Sequence, residues 1–236
     1  MALAVALVPL QLFVSAPYGR HVRGGWGPQI PNRLGWFAME SASLVLFAAL
    51  FLLGSAPKSA PAWVFFAAWA AHYVNRALIF PWRLKGRGKT MPLAIAGSAA
   101  LFNMVNAGLN GTTLGWSSYP ESWLADPRFA AGLALFIYGA ALNLWADGRL
   151  MRLRTASVDY ALPHGGMFER VSCPNHLGEI VEWSGFALMC WNPAALSFAV
   201  WTAANLVPRA LSHHRWYRAR FADYPAARKA VIPWLL

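Results

Sequence analysis

Apolar residues in this chain fall in long blocks, without the polar positions that would give a surface helix or a half-buried strand its period. Such blocks occupy residues 1–16, 35–54, 61–82, 92–114 and 128–147, the first a little short of the ~20 residues a helix needs to cross a bilayer and the others long enough. A sixth stretch, Leu177 to Val207, is too long for one crossing, and Asn192 and Pro193 interrupt it as a turn, giving two short helices. The pattern predicts an all-α, polytopic integral membrane protein with seven transmembrane helices. No repeat or linker divides it, so a single domain over residues 1–236 is expected. The first block ends in Val14, Ser15 and Ala16 like a cleaved signal peptide, but it lacks a basic leader and is read as a retained first helix.

Composition agrees: 58% of residues are hydrophobic and 12% charged, about half the charge that a soluble surface carries. The balance of 20 Lys plus Arg against 9 Asp plus Glu would suit nucleic acid, anionic lipid or a phosphorylated ligand, and placement decides among them. Arg20, Arg23 and Arg33 lie in the first connection, Lys58 alone in the second, and Arg83, Lys85, Arg87 and Lys89 in the third. The fourth sets Glu121 and Asp126 against Arg128, the fifth holds Arg149, Arg152, Arg154 and Arg170, the Asn192 turn holds none, and the tail runs basic from Arg209 to Lys229. This alternation fits seven spans with the N-terminus outside and the C-terminus cytoplasmic, and it leaves no role for nucleic acid. An Ala-, Arg- and Trp-rich composition suggests a bacterial source, hence the cytoplasmic (inner) membrane. The long connection from Gly148 to Pro174, with Tyr160, Pro163, Gly165, Gly166 and Phe168, is expected to be ordered. Cys173 and Cys190 have no spacing for a disulfide framework or a zinc site, and no metal is expected.

An ionisable group inside a span costs about 2.5 to 3.5 kcal/mol and needs a partner or a cavity. Glu40 lies early in the second span, His72, Tyr73, Asn75 and Arg76 in the third, Asn143 and Asp147 close the fifth, and Glu179 and Glu182 open the sixth. Asn143 and Asp147 share a helical face, as do His72 and Arg76, and Glu179 and Glu182. Polar groups also fasten membrane helices to one another. These, however, gather toward the cytoplasmic ends of their spans, beside the arginine-bearing loops, which implies a polar cavity open to the cytoplasm with guanidiniums at its mouth. Such a cavity suits a dinucleotide. No Gly-x-Gly-x-x-Gly follows a strand, and Gly86-Arg87-Gly88-Lys89 is not a Walker loop, so side chains are expected to hold the phosphates.

The tail from Arg209 through His213, His214 and Tyr217 to Tyr224, Pro225 and Pro233 resembles the C-terminal signature of the steroid 5α-reductase family. So does the segment Asn175-His176-Leu177-Gly178-Glu179-Ile180-Val181-Glu182-Trp183, with Pro163, Gly165, Gly166 and Phe168 before it. His72-Tyr73, Arg76 and Gly86-Arg87 look like the family's third helix and following loop, and Tyr18-Gly19-Arg20-His21 like its first loop. The resemblance implies a seven-helix reductase that moves hydride from NADPH to the β-carbon of an α,β-unsaturated ketone, typically a 3-oxo-Δ4-steroid. It puts binding of the substrate ketone on Glu40 and Tyr73. A protonated carboxyl and a phenol donating hydrogen bonds to that oxygen would stabilise the developing enolate. For the cofactor it points to Arg87, Asn143, Asp147, Arg154, Tyr160, Asn175, Glu179, Arg209, His213 and Tyr217. The arginines suit phosphates, and the amides and carboxylates suit ribose and carboxamide groups.

The sequence departs from the family at Met39, where steroid-processing members usually carry glutamine. It departs again at Gly88, Lys89 and Thr90, which lack the usual aromatic, and at Ala161, often an arginine. A steroid or another lipophilic enone is the expected substrate, with membrane lipid around it; the oligomeric state is open and a monomer is compatible with the sequence. Two other readings stand beside this one: a membrane methyltransferase of the isoprenylcysteine type using S-adenosylmethionine, and a non-enzymatic sterol- or lipid-binding membrane protein. Three loop arginines suit a pyrophosphate better than a cationic sulfonium, and the buried polar set exceeds what a sterol pocket requires.

Overall fold

The computed structural model describes residues 1–13, 21, 24–84, 89–156 and 160–236. Helices dominate: α1 (Ala2–Phe13), α2 (Asn32–Leu53), α3 (Ala60–Val74), α4 (Phe80–Arg83), α5 (Leu93–Trp116), α6 (Pro127–Ala156), α7 (Pro174–Cys190) and α8 (Pro193–Arg220). A π-turn at Asn75–Ile79 joins α3 to α4 without a break. Among the described residues there are thus seven helical bodies, one for each apolar block and two for the last stretch. Three of them, over Asn32–Leu53, Leu93–Trp116 and Pro127–Arg154, are long and apolar enough to cross a membrane.

Proline sets many of the boundaries. Helices α6, α7 and α8 each open on one, where its fixed φ suits the first turn and its missing N–H has no helical partner to lose. Inside the third body Pro81 has the opposite effect. Its ring crowds the carbonyl four residues earlier, and the preceding turn widens so that the N–H of Phe80 donates to Asn75 O. The Asn192 turn falls where the sequence puts it, and Asn192 Oδ1 accepts from the N–H of Ala195 at 2.9 Å to start α8.

Two features go beyond the apolar blocks. Strands β1 (Gln29–Pro31) and β2 (Thr90–Pro92) pair antiparallel, Ile30 opposite Met91, just ahead of α2 and α5. Helices α6 and α8 also run well past the apolar residues that mark them, carrying Arg149, Arg152 and Arg154, and Arg209 to Tyr217, on helix rather than loop. Apolar length reports hydrocarbon thickness, whereas a helix continues wherever good helix formers such as Arg, Leu and Ala follow.

Contacts divide the chain into two compact units. One comprises residues 17–132 and 188–195. In it α2 and α5 run parallel, with Met39 and Glu40 beside Asn103, Phe47 beside Gly111, and Leu50 and Phe51 beside Gly115. A Cβ on Gly115 would stand 2.6 Å from Leu50 O, so the approach depends on the small residues. Helix α3 runs antiparallel to α2 through an aromatic ladder: Phe51 on Trp63 at 5.6 Å, Phe47 on Trp69 at 4.4 Å and Trp36 on Phe80 at 5.1 Å.

The other unit comprises residues 1–16, 133–187 and 196–236. Helices α6 and α7 cross at Gly139 and Gly178; a Cβ on Gly139 would lie 2.3 Å from Glu182 N, and one on Gly178 2.6 Å from Asn143 N. The chain after α8 returns to the start of α7. Ser172 N donates to Lys229 O at 2.8 Å and Cys173 N to Ala230 O at 3.1 Å. Buried Arg228 donates to Pro163 O at 3.2 Å and lies 3.7 Å from the Glu169 carboxylate.

Candidate active site

In the first unit the aromatic ladder fixes the level of each side chain on α2 and α3. Glu40 lies between Trp36 and Phe47 on α2, and Tyr73 lies between Trp69, which faces Phe47, and Arg76, whose guanidinium sits 4.9 Å from the Trp36 ring. Glu40 and Tyr73 therefore occupy the same stretch of the α2/α3 pair. Tyr73 is 2% exposed, with its ring 5.0 Å from Trp69 and 5.1 Å from His72, so it faces the protein and not the surroundings. Glu40 is half-buried, and Asn103 of α5 reaches it, its Nδ2 donating to Glu40 Oε2 at 3.3 Å and to Met39 O at 2.7 Å. Met39 itself is buried.

Asn103 belongs to a row the sequence reading passed over. Asn103, Asn106 and Asn110 lie on one face of α5, and all three are buried; Asn110 Nδ2 donates to Asn106 Oδ1 at 3.0 Å. Unlike Asn75 and Asn143, which stand within a helical turn of ionisable residues, these three have only apolar, small or neutral neighbours along the chain. Their spacing of three and four inside an apolar block was the signal that could have found them.

In the second unit the Gly139–Gly178 crossing brings Asn143 and Asp147 of α6 against Asn175 and Glu179 of α7. Asn143 Nδ2 donates to Asn175 O at 3.0 Å and to Glu179 Oε2 at 3.4 Å, and Asn175 Nδ2 donates to Asp147 Oδ1 at 3.2 Å. Four of the expected cofactor residues thus form one network. Glycine at 139 and 178 is what permits it, since any side chain there would push the helices apart.

The remaining expected residues are spread more widely. His213, buried on α8, lies with its ring 5.6 Å from that of His176, and Arg209 is half-buried one turn earlier. Tyr217 is buried and stacks on Tyr224 at 6.2 Å, and Tyr160 sets its ring edge-on to Trp216 at 5.2 Å. Arg154 is exposed near the end of α6. Arg87, with Lys85, Gly86, Gly88, Arg20 and Arg23, lies outside the described residues, as does Tyr18-Gly19-Arg20 of the first-loop resemblance.

The returning tail has its own polar knot. Ser172 Oγ lies 2.7 Å from His214 Nδ1 and 2.5 Å from Tyr224 Oη, and Tyr224 Oη lies 3.0 Å from His214 Nδ1. Burial and the nearby Arg218, Arg228 and Lys229 hold the His214 imidazole below its ordinary pKa. The Gly165 N–H, with weaker contributions from Arg228 and His164, holds the Glu169 carboxyl low.

Comparison with known proteins then speaks to identity. The family profile described as 3-oxo-5-alpha-steroid 4-dehydrogenase matches residues 89–236. The chain is 42% identical over 231 residues to Steroid 5-alpha-reductase DET2 of Solanum lycopersicum, covering 94% of this chain and 89% of that one. It is 39% identical over 245 residues to 3-oxo-5-alpha-steroid 4-dehydrogenase 1 of Bos taurus, covering 100% and 93%. Against the protein of that name in Homo sapiens it is 38% identical over 222 residues, covering 92% and 85%. Similarity of this extent, over a helical chain with three apolar helices of membrane-crossing length, means that the chain belongs to the steroid 5α-reductase family, as an oxidoreductase of the 3-oxo-5-alpha-steroid 4-dehydrogenase type.

Proposed function

We propose that this enzyme reduces the C=C bond of a lipophilic α,β-unsaturated ketone, a 3-oxo-Δ4-steroid giving the 5α-dihydrosteroid, with NADPH as reductant, from within the bacterial cytoplasmic membrane. The observation that carries the reading is that Glu40 and buried Tyr73 stand at one level of α2 and α3, among the aromatic rings that pack these helices. Hydride addition at the β-carbon moves negative charge onto the ketone oxygen. A carboxyl and a phenol that donate to that oxygen stabilise the charge as it develops, without the reorganisation that water would need. Once hydride transfer is complete, the enolate takes a proton from solvent at the α-carbon and becomes the saturated ketone. Apolar walls accommodate the steroid body, and the two donors fix its orientation.

The residues of the second unit fit a nicotinamide dinucleotide. The Asn143–Asp147–Asn175–Glu179 network offers amide donors and carboxylate acceptors matched to ribose hydroxyls and a carboxamide, and Arg209 and Arg154 carry the charge that phosphates require. His213, Tyr160 and Tyr217 complete the set. When bound, NADPH supplies the hydride. The protein's part is to hold and orient it through these side chains and to keep the reacting carbons dry.

Purified protein in detergent, given NADPH and a panel of a 3-oxo-Δ4-steroid, a polyprenal and a small cyclic enone, should oxidise NADPH in an enone-dependent way and yield the 5α-dihydrosteroid from the first. Saturable binding of S-adenosylmethionine with no NADPH binding would instead favour the methyltransferase reading.

A further inference from the structure

We infer that Asn103 of α5 is a positioning residue that decides which oxygen of Glu40 presents a proton to the substrate ketone. The inference rests on the proposed role of Glu40 and adds a residue to it. The identity of the atoms is forced by their surroundings. The terminal atom of Asn103 that lies 2.7 Å from the carbonyl oxygen of Met39 must be the N–H2, because an oxygen there would meet another acceptor. That backbone carbonyl sits on the rigid frame of α2 and pins the amide. The second N–H of the same nitrogen points to Glu40 Oε2 at 3.3 Å.

A neutral carboxyl has one oxygen that only accepts and one that carries the proton. A proton on Oε2 would face the N–H of Asn103, donor against donor, so Oε2 is held as the accepting oxygen and the proton resides on Oε1. Oε1 is then the atom that donates to the ketone. Without Asn103 nothing from α5 disfavours a proton on Oε2, and the share of carboxyls that turn an acceptor toward the substrate oxygen, itself an acceptor, rises. Asn103 is 7% exposed and Met39 also 7%, so water is poorly placed to substitute for the amide.

A double-mutant cycle tests this in single-turnover hydride transfer from NADPH to a 3-oxo-Δ4-steroid, with NADPH affinity measured alongside. Asn103→Leu removes the donor at nearly the same size, and Asn103→Ala removes it with less bulk, so one remains informative if the other fails to fold. Either variant should slow hydride transfer about tenfold in the native background, leave NADPH affinity within about twofold, and slow it no further in a Glu40→Ala background, where there is no oxygen to orient. Equal slowing in both backgrounds would make Asn103 a fastener of α2 to α5 and overturn the inference, as would full activity in well-folded variants. Should Glu40→Ala alone transfer hydride at the native rate, the role of Glu40 itself fails, an outcome separate from a failure at Asn103.

Discussion

At Glu40 and Tyr73 the proposed chemistry asks for donors, and the two sites differ in what a conservative change leaves behind. Tyr73→Phe deletes its donor outright and should lower turnover about 100-fold. Glu40→Gln keeps an N–H, a weaker donor than a carboxyl, and should cost about tenfold. NADPH affinity should stay near native in both, because neither residue belongs to the Asn143 network. Arg154→Ala should do the reverse, raising the dissociation constant for NADPH by about tenfold, near 1.4 kcal/mol, before it affects the chemical step. Steady-state kinetics with parallel NADPH titrations separate the two patterns, and equal loss of cofactor binding in all three variants contradicts the assignment. His214 supplies a pH test. Its folded-state pKa lies below the ordinary value, so the unfolded tail binds the proton more readily; the contribution is intact above the ordinary histidine range and is lost as pH falls through the folded value. Glu169, also depressed, acts in the same direction at lower pH. Hydrogen exchange at the Ser172 and Cys173 amides should therefore speed up, beyond its intrinsic pH dependence, between about pH 7.5 and about pH 5.5, and His214→Gln should flatten that change. Sequence reading picked out Glu40 and Tyr73 because each is costly in an apolar block. Asn103 escaped it because, unlike Asn75 and Asn143, it has no ionisable residue within a helical turn.

Among the elements, the α6/α7 crossing is the one on which the cofactor network depends. Gly178→Ala puts a methyl 2.6 Å from a backbone nitrogen of Asn143, and backbone, unlike the end of a flexible side chain, cannot simply turn away. The helices must separate, at a cost of about 1 to 3 kcal/mol in stability, with NADPH affinity falling because Asn143 and Glu179 part. Gly97→Ala on α5 is the contrast: that glycine is exposed with nothing near its would-be Cβ, so the change should be neutral or stabilise by up to about 1 kcal/mol. Thermal unfolding of both variants, with an NADPH titration of the first, checks the pair. Gly178 was already legible as part of a recognised segment, yet its partner Gly139, 39 residues away in sequence, was not. Local pattern cannot say which small residues meet. The π-turn was hidden similarly: Pro81 was visible, but a proline can end, kink or widen a helix, and packing on either side selects among these.

Taken whole, the molecule carries the block pattern into seven helical bodies among the described residues, with α2 and α5 running parallel. The basic loops predict an orientation, with the α5–α6 connection outside and the tail in the cytoplasm. Both native thiols, Cys173 and Cys190, are buried. Single reporters at exposed positions, Ser118→Cys and Ala222→Cys, should therefore report cleanly in intact cells, the first reacting with an impermeant maleimide and the second only after the membrane is breached. Labelling of both from one side would reverse the orientation or change the number of crossings. The sequence by itself determined where apolar runs begin and end, which residues are too polar for them, and the family signatures at Asn175–Trp183 and in the tail, because all of these are properties of neighbours along the chain. Only the tertiary structure decided that Asn103 grips Glu40, that Gly139 and Gly178 let Asn143 meet Glu179, and that the tail closes on Ser172. Those contacts join residues far apart in sequence, and they depend on helix register and on the space left where a side chain is missing.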